Sequence, residues 1–321
     1  MAPSPLAVSN HEPGIRTVAE KACYVAALAF LRTPLKRFGF RNPTITRFDS
    51  TESYLADRVA NVSDYRQLFG PHVSFAGKTV LELGCNRGYL LRGFLELEKF
   101  TAIGADLSTD ALDAGRKAYG DMIKFVESTP ASIPLSPESV DIVYTIDTVE
   151  HLSQPKEIFM EVFRVLRPGG LCLIHFNPWL NPYGSHLEDI IPFPWPHVVF
   201  SMDTLLRVAA KLYESPSYPT ACYWLDPTSG QKRPNPFLNH ETWKTYLNHM
   251  TIRRFKRLLN ELPFEILHQK RIGFGGKTFK FAKYLRALAT LPAFDEFMTA
   301  ALFTVLVKPG SSRMLDKIST T

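Results

Sequence analysis

Glu82, Gly84, Asn86, Gly88 and Asp106 are the residues of this 321-residue chain whose types and spacing best suit ligand-binding chemistry. Gly84 and Gly88 bracket a tight turn in which a side chain would hold a ligand off the backbone. The turn follows the short apolar run Thr79–Leu83, which reads as a strand buried on both faces of a parallel sheet. Tyr89 to Leu97 then continues at helical spacing, and a second apolar run, Thr101 to Ala105, ends at Asp106. A carboxylate at that strand tip can accept both hydroxyls of a ribose. Lys78 to Ser108 is therefore read as one strand, turn, helix, strand unit that ends in an acid.

The glycine spacing separates two nucleotide chemistries. A dinucleotide fingerprint needs G-x-G-x-x-G to admit a pyrophosphate. Here the turn reads Gly84-Cys85-Asn86-Arg87-Gly88 with Glu82 upstream, and it resembles the E/D-x-G-x-G-x-G motif of the class I S-adenosylmethionine-dependent methyltransferases. Asn86 replaces the middle glycine, and asparagine is among the few residues that tolerate positive φ. The resemblance implies S-adenosyl-L-methionine as cofactor, with Glu82, Gly84, Cys85, Asn86 and Gly88 around its methionine end and Asp106 with Leu107 at its ribose. In the loop 128–134 Thr129 stands where many relatives carry an acid facing adenine, so recognition of that ring falls to the backbone, Ser128 and Thr129.

A second block strengthens the resemblance. Val140 to Ile146 reads as a strand, followed by the turn Asp147-Thr148-Val149-Glu150-His151, a helix over Pro155–Leu166, the stop Arg167-Pro168-Gly169-Gly170 and a strand over Leu171–Phe176. Ile146 and Asp147 are implied at the reactive end of the cofactor. The two blocks span about a third of the chain. They imply an α/β fold, a doubly wound seven-stranded and mostly parallel sheet, completed by strands over Phe264–Ile272 and Ala301–Lys308 with the last two antiparallel.

The elements that must carry these residues divide the chain into 1–75, an N-terminal arm and helical cap; 76–308, the catalytic-type domain with insertions at 177–250 and 273–297; and a tail, 309–321. The apolar run Ala22–Leu31, followed by Arg32, Lys36, Arg37 and Arg41, is too short to span a bilayer and reads as a helix packed on the core, with a membrane-surface anchor as the second reading. Lys277, Lys280, Lys283 and Arg286 in the second insertion raise the same pair of readings. The four cysteines, at 23, 85, 172 and 222, show no C-x-x-C pairing, which fits a reducing, cytoplasmic compartment.

Charge is uneven: Lys and Arg minus Asp and Glu give 7 minus 3 over 1–50, 17 minus 23 over 51–250 and 13 minus 5 over 251–321. The acidic middle argues against a nucleic-acid acceptor. All four tryptophans fall in 177–250, with ten prolines. That proline density predicts a shaped loop without regular helix, offering aromatic walls to an acceptor. Asn177-Pro178 follows the fifth strand rather than the fourth, so the tetrad of adenine amino-methylases is not matched.

Methyl displacement from a sulfonium gains mainly from alignment, and a base helps only where the acceptor must lose a proton. His151 and His186 are the candidate bases. No acidic cluster with ligand spacing lies near Asp147, so no metal is expected. The expected activity is methylation of a small-molecule or lipid-like acceptor, at oxygen, with peripheral membrane contact as a second possibility. An RNA methyltransferase, suggested by the pI near 9.0, and a non-catalytic binding protein are the alternatives. The sequence sets no oligomeric state.

Overall fold

The computed structural model describes residues 14–32, 50–226, 229–273, 291 and 294–310. Lys36, Arg37 and Arg41, the cations at 277–286, nearly all of the N-terminal arm and most of the tail lie outside them. The chain forms two compact units. One contains Leu55–Asn177, Ile252–Ile272 and the chain from Ala301 onward, and the other the chain up to Tyr54, Pro178–Thr251 and Gly273–Ala300. Residues 55–75, expected to belong to an N-terminal cap, thus group with the sheet.

In chain order the elements are α1 (Val18–Arg32), α2 (Thr51–Ala60), α3 (Val62–Phe69), β1 (Thr79–Leu83), α4 (Tyr89–Leu97), β2 (Thr101–Asp106), α5 (Thr109–Tyr119), β3 (Ile123–Glu127), β4 (Val140–Ile146), α6 (Pro155–Val165), β5 (Leu166–Phe176), α7 (Pro196–Val199), α8 (Met202–Glu214), α9 (His240–Tyr246), α10 (Ile252–Asn260), β6 (Glu265–Gly273) and β7 (Thr299–Val307). The sheet runs β3-β2-β1-β4-β5-β7-β6. β1 pairs in parallel with β2 on one side and β4 on the other, and β7 runs antiparallel to β5. The strand order therefore reverses between β1 and β4, where ligands of open α/β sheets bind beyond the carboxyl ends.

Local chemistry sets the boundaries. Ser108 caps α5 by accepting a hydrogen bond from the Ala111 main-chain nitrogen at 3.3 Å. Pro155 opens α6, as suits a residue without an N–H at the first helical turn. β5 begins at Leu166 rather than Leu171, because Leu166 pairs with Val140 before a register shift brings Leu171 opposite Ile142. Both sheet faces are covered by aromatic rings. Phe69 stacks on Phe94 and Phe303 with centroids 6.0 and 5.6 Å away, and Phe75 stacks on Tyr144 at 5.7 Å. Phe255 of α10 meets Phe176 at 4.8 Å while Arg253, Arg254, Lys256 and Arg257 stay exposed. Each such fully buried ring contributes about 2–3 kcal/mol over its exposed state.

The other unit has its own core. Cys23 and Ala27, one turn apart on α1, are fully buried with Leu205, Val208 and Ala209 of α8. One face of the run Ala22–Leu31 therefore packs in a protein core, while Val25 is exposed, and no helix among the described residues is long and apolar enough to cross a membrane. The expectation of a helix-free loop over 177–250 is corrected: α8 occupies the proline-free stretch between Pro196 and Pro216, capped by Ser201. Proline density averaged over the whole segment conceals that gap. Trp224 and Trp243 are buried in this core beside Phe237, which stacks on Trp243 at 5.3 Å.

Candidate functional site

The turn between β1 and α4 is made from left-handed backbone. Gly84, Asn86 and Gly88 have φ of +79°, +52° and +78°. A Cβ at Gly84 would lie 2.3 Å from Thr148 Oγ1, so only glycine lets the turn close against the end of β4. The main-chain N–H groups of Gly84 and Cys85 both donate to Ala105 O, at 2.8 and 3.0 Å, which locks the turn to β2. Cys85 packs against Gly104, where any Cβ would stand 2.7 Å from its Sγ, and burial pushes its thiol far above the usual range.

Asp106 is where the sequence predicted it, at the tip of β2. Its Oδ2 accepts from Asn86 N at 2.7 Å and its Oδ1 from Ser108 N at 2.9 Å. Leu107 beside it is exposed. Ser128 N donates to Asp106 O at 2.9 Å, bringing the loop after β3 to the same edge, and Thr129 Oγ1 lies 2.8 Å from Ser132 Oγ. Glu82 is buried in β1 and accepts the Tyr144 hydroxyl at 3.0 Å. Burial is the largest influence on its carboxyl, which is pushed up to about 8.

Ile146 is buried at the end of β4, and Asp147 follows it in the left-handed region with φ +51°. Asp147 is the centre of a polar group that the sequence did not reveal. Its Oδ1 accepts from Asn177 Nδ2 at 3.2 Å and lies 3.2 Å from His175 Nδ1, while Arg58 of α2 stands 3.8 Å from Oδ2. Since a carboxylate only accepts, His175 donates to it through Nδ1–H. Tyr65 of α3 packs edge-on against the His175 ring at 5.3 Å. Burial and the charge of Asp147 both raise the Tyr65 hydroxyl, and the same two causes hold the Glu150 carboxyl well above its ordinary value. His175 carries no motif signal, and the only motif Asn177 suggests is a tetrad it does not match; the pairing of Ile146 with His175 sets the end of β5 beside Asp147.

Thus the predicted cofactor residues on β1, β2 and β4, with Thr129 after β3, meet along the carboxyl edge of four adjacent strands. His151 closes the short helical turn Val149–His151 and donates its N–H to Thr148 O at 2.9 Å. His186 belongs to the other unit, where it has φ +54°, donates its N–H to Tyr183 O at 3.0 Å and meets the Tyr246 ring at 6.4 Å. In that unit Trp179 lies between His249 and His197, at 4.0 and 4.6 Å, and burial lowers the His197 imidazole to about 4.

Residues 81–174 match the family model of the methyltransferase domain. Among curated proteins, an uncharacterized methyltransferase of Mycobacterium ulcerans is 32% identical over 153 residues, covering 47% of this chain and 58% of its own length. Another, from Mycobacterium avium, is 30% identical over 153 residues, covering 47% and 59%. The chain therefore spans less than two thirds of the curated relatives it matches. Among solved structures, an S-adenosylmethionine dependent methyltransferase from Mesorhizobium loti aligns at TM-score 0.46 and 17% identity, over 78% of this chain and 99% of that one. The matched residues 81–174 run from β1 into β5 of the β3-β2-β1-β4-β5-β7-β6 sheet, so it is this part of the chain that is similar to the methyltransferase domain.

Proposed function

We propose that this chain binds S-adenosylmethionine at the carboxyl edge of β1, β2 and β4 and methylates a small-molecule or lipid-like acceptor, at oxygen. The observation that carries the cofactor assignment is the bond from Asn86 N to Asp106 Oδ2, which joins the glycine turn to the acid at the tip of the neighbouring strand. The residues fit such a ligand. Asp106 presents a carboxylate that accepts from the main-chain N–H groups of Asn86 and Ser108, and the side-chain oxygen of Asn86 is buried without a hydrogen-bond partner.

Glu82, Gly84, Cys85, Asn86 and Gly88 would border the amino-acid end, Asp106 and Leu107 the ribose, Thr129 the adenine, and Ile146 with Asp147 the reacting end. When bound, the cofactor supplies an electrophilic methyl carbon for in-line displacement. The protein's contribution is then alignment: Asp147 is braced by Asn177, His175 and Arg58 and gives that edge a fixed charge. His151 and His186 remain the residues proposed to take a proton where the acceptor must lose one. The small-molecule or lipid-like acceptor class is favoured by the acidic middle of the sequence, which argues against a nucleic-acid acceptor.

Calorimetric titration with S-adenosylmethionine and, separately, with NADH tests the reading. Binding of the first alone, weakened about 10- to 100-fold in Asp106→Ala through loss of hydrogen bonds to a charged group, is the expected result. No binding of S-adenosylmethionine would overturn the assignment. An acceptor panel of phenols, carboxylates and prenylated quinols with labelled cofactor then tests the acceptor class.

A further inference from the structure

Asn86 occupies the middle position of the turn, where φ is +52° and a glycine would be accommodated without strain. The backbone therefore does not require its side chain. Its main-chain N–H is fixed on Asp106 Oδ2 at 2.7 Å, which places the residue against the carboxylate at the tip of β2. Its side-chain Oδ1 is buried yet has no hydrogen-bond partner. A buried acceptor left without a donor lowers stability, and native structures rarely retain one without a purpose. The immediate neighbour, Asp106, only accepts, and both of its oxygens already take a main-chain N–H. A ligand bound beside Asp106 could supply the missing donor.

We propose that Asn86 is a second ribose anchor: its Oδ1 accepts a hydrogen bond from one hydroxyl of the bound nucleoside while Asp106 accepts from the other. The inference rests on the reading that this edge binds S-adenosylmethionine, and it reassigns the Asn86 side chain from the amino-acid end of that ligand to its ribose. It assigns to the Asn86 amide a role beyond shaping the turn, and it makes the site selective for an unmodified ribose diol, with two acceptors placed to read two donors.

Asn86→Gly is the direct test, because glycine adopts the same backbone conformation and removes only the amide. Affinities of the full chain for S-adenosylmethionine and for 5′-methylthioadenosine, which keeps the ribose and lacks the amino-acid part, are measured by calorimetry, and thermal unfolding is followed in parallel. The expected result is a loss of about 3- to 10-fold for both ligands, as for one hydrogen bond, with an unfolding midpoint no lower than that of the parent. Unchanged affinity for both would overturn the proposal and leave the cofactor assignment intact. A loss confined to S-adenosylmethionine would also overturn it, since the donor would then lie in the amino-acid end. Failure of the parent protein to bind either ligand would remove the reading on which the proposal rests.

Discussion

His175 Nδ1 lies 3.2 Å from Asp147 Oδ1, and Asp147 returns the contact through its own N–H, 2.9 Å from the His175 carbonyl oxygen. This double link ties the end of β4 to the end of β5 and sets the side chain of Asp147 at the edge. Asparagine tolerates the left-handed backbone of residue 147, so Asp147→Asn removes charge without adding strain. The variant is expected to lose about 1–2 kcal/mol in urea unfolding at neutral pH. A double-mutant cycle with His175→Gln should show coupling of about 0.5–1.5 kcal/mol. Additive losses would mean that the two side chains act independently.

Glu82 gives a pH signature. Burial raises its carboxyl from 4.5 to about 8, against the opposing influence of the Tyr144 hydroxyl. The folded chain holds a proton that the unfolded chain has released, so the associated stability is full below pH 4.5 and is lost as pH rises towards 8. Glu82→Gln has no proton to lose. Its unfolding free energy relative to the parent should rise across this window, by a total on the order of a few kcal/mol. A difference that stays flat with pH would show that Glu82 ionises normally.

Most of the sheet was legible because its strands are short apolar runs closed by turn residues: β1 and β4 coincide with the runs Thr79–Leu83 and Val140–Ile146. The start of β5 was not, since pairing of Leu166 with Val140 across a register shift leaves no local mark. The cofactor edge was legible through glycine spacing and a strand-end acid. The surroundings of Asp147 were not, because His175 lies 28 residues away and Arg58 comes from a helix far upstream. Only tertiary packing brings them together, and no periodicity encodes it.

Gly84 carries two separable penalties. Alanine there meets both a φ of +79° and the Thr148 side chain, whose Oγ1 and Cγ2 would stand 2.3 and 2.5 Å from the new Cβ. The backbone strain is expected to cost about 1–3 kcal/mol and the clash a similar amount. Thr148→Ala removes the two closest atoms and leaves only Cβ at 3.0 Å. Gly84→Ala with Thr148→Ala should therefore recover about half of the stability lost in Gly84→Ala, measured by urea unfolding. Equal stability of the single and double variants would assign the whole loss to strain.

The second unit has an acid-sensitive link. Glu20 accepts from Arg16 N at 2.6 Å and Thr17 N at 3.0 Å, while Arg207 Nε of α8 donates to its other oxygen at 2.6 Å. These bonds, the main-chain pair foremost, hold the carboxyl down at about 2. Its stabilising contribution is therefore complete above pH 4.5 and is lost as pH falls from 4.5 towards 2. All four tryptophans belong to this unit, so their fluorescence reports its unfolding. In Glu20→Gln the urea midpoint should fall less steeply over that range than in the parent. Arg207→Ala should keep most of the acid dependence, because the main-chain donors at the start of α1 remain. If Arg207→Ala abolished the dependence as fully as Glu20→Gln, the ion pair and not the helix-start bonds would be its source.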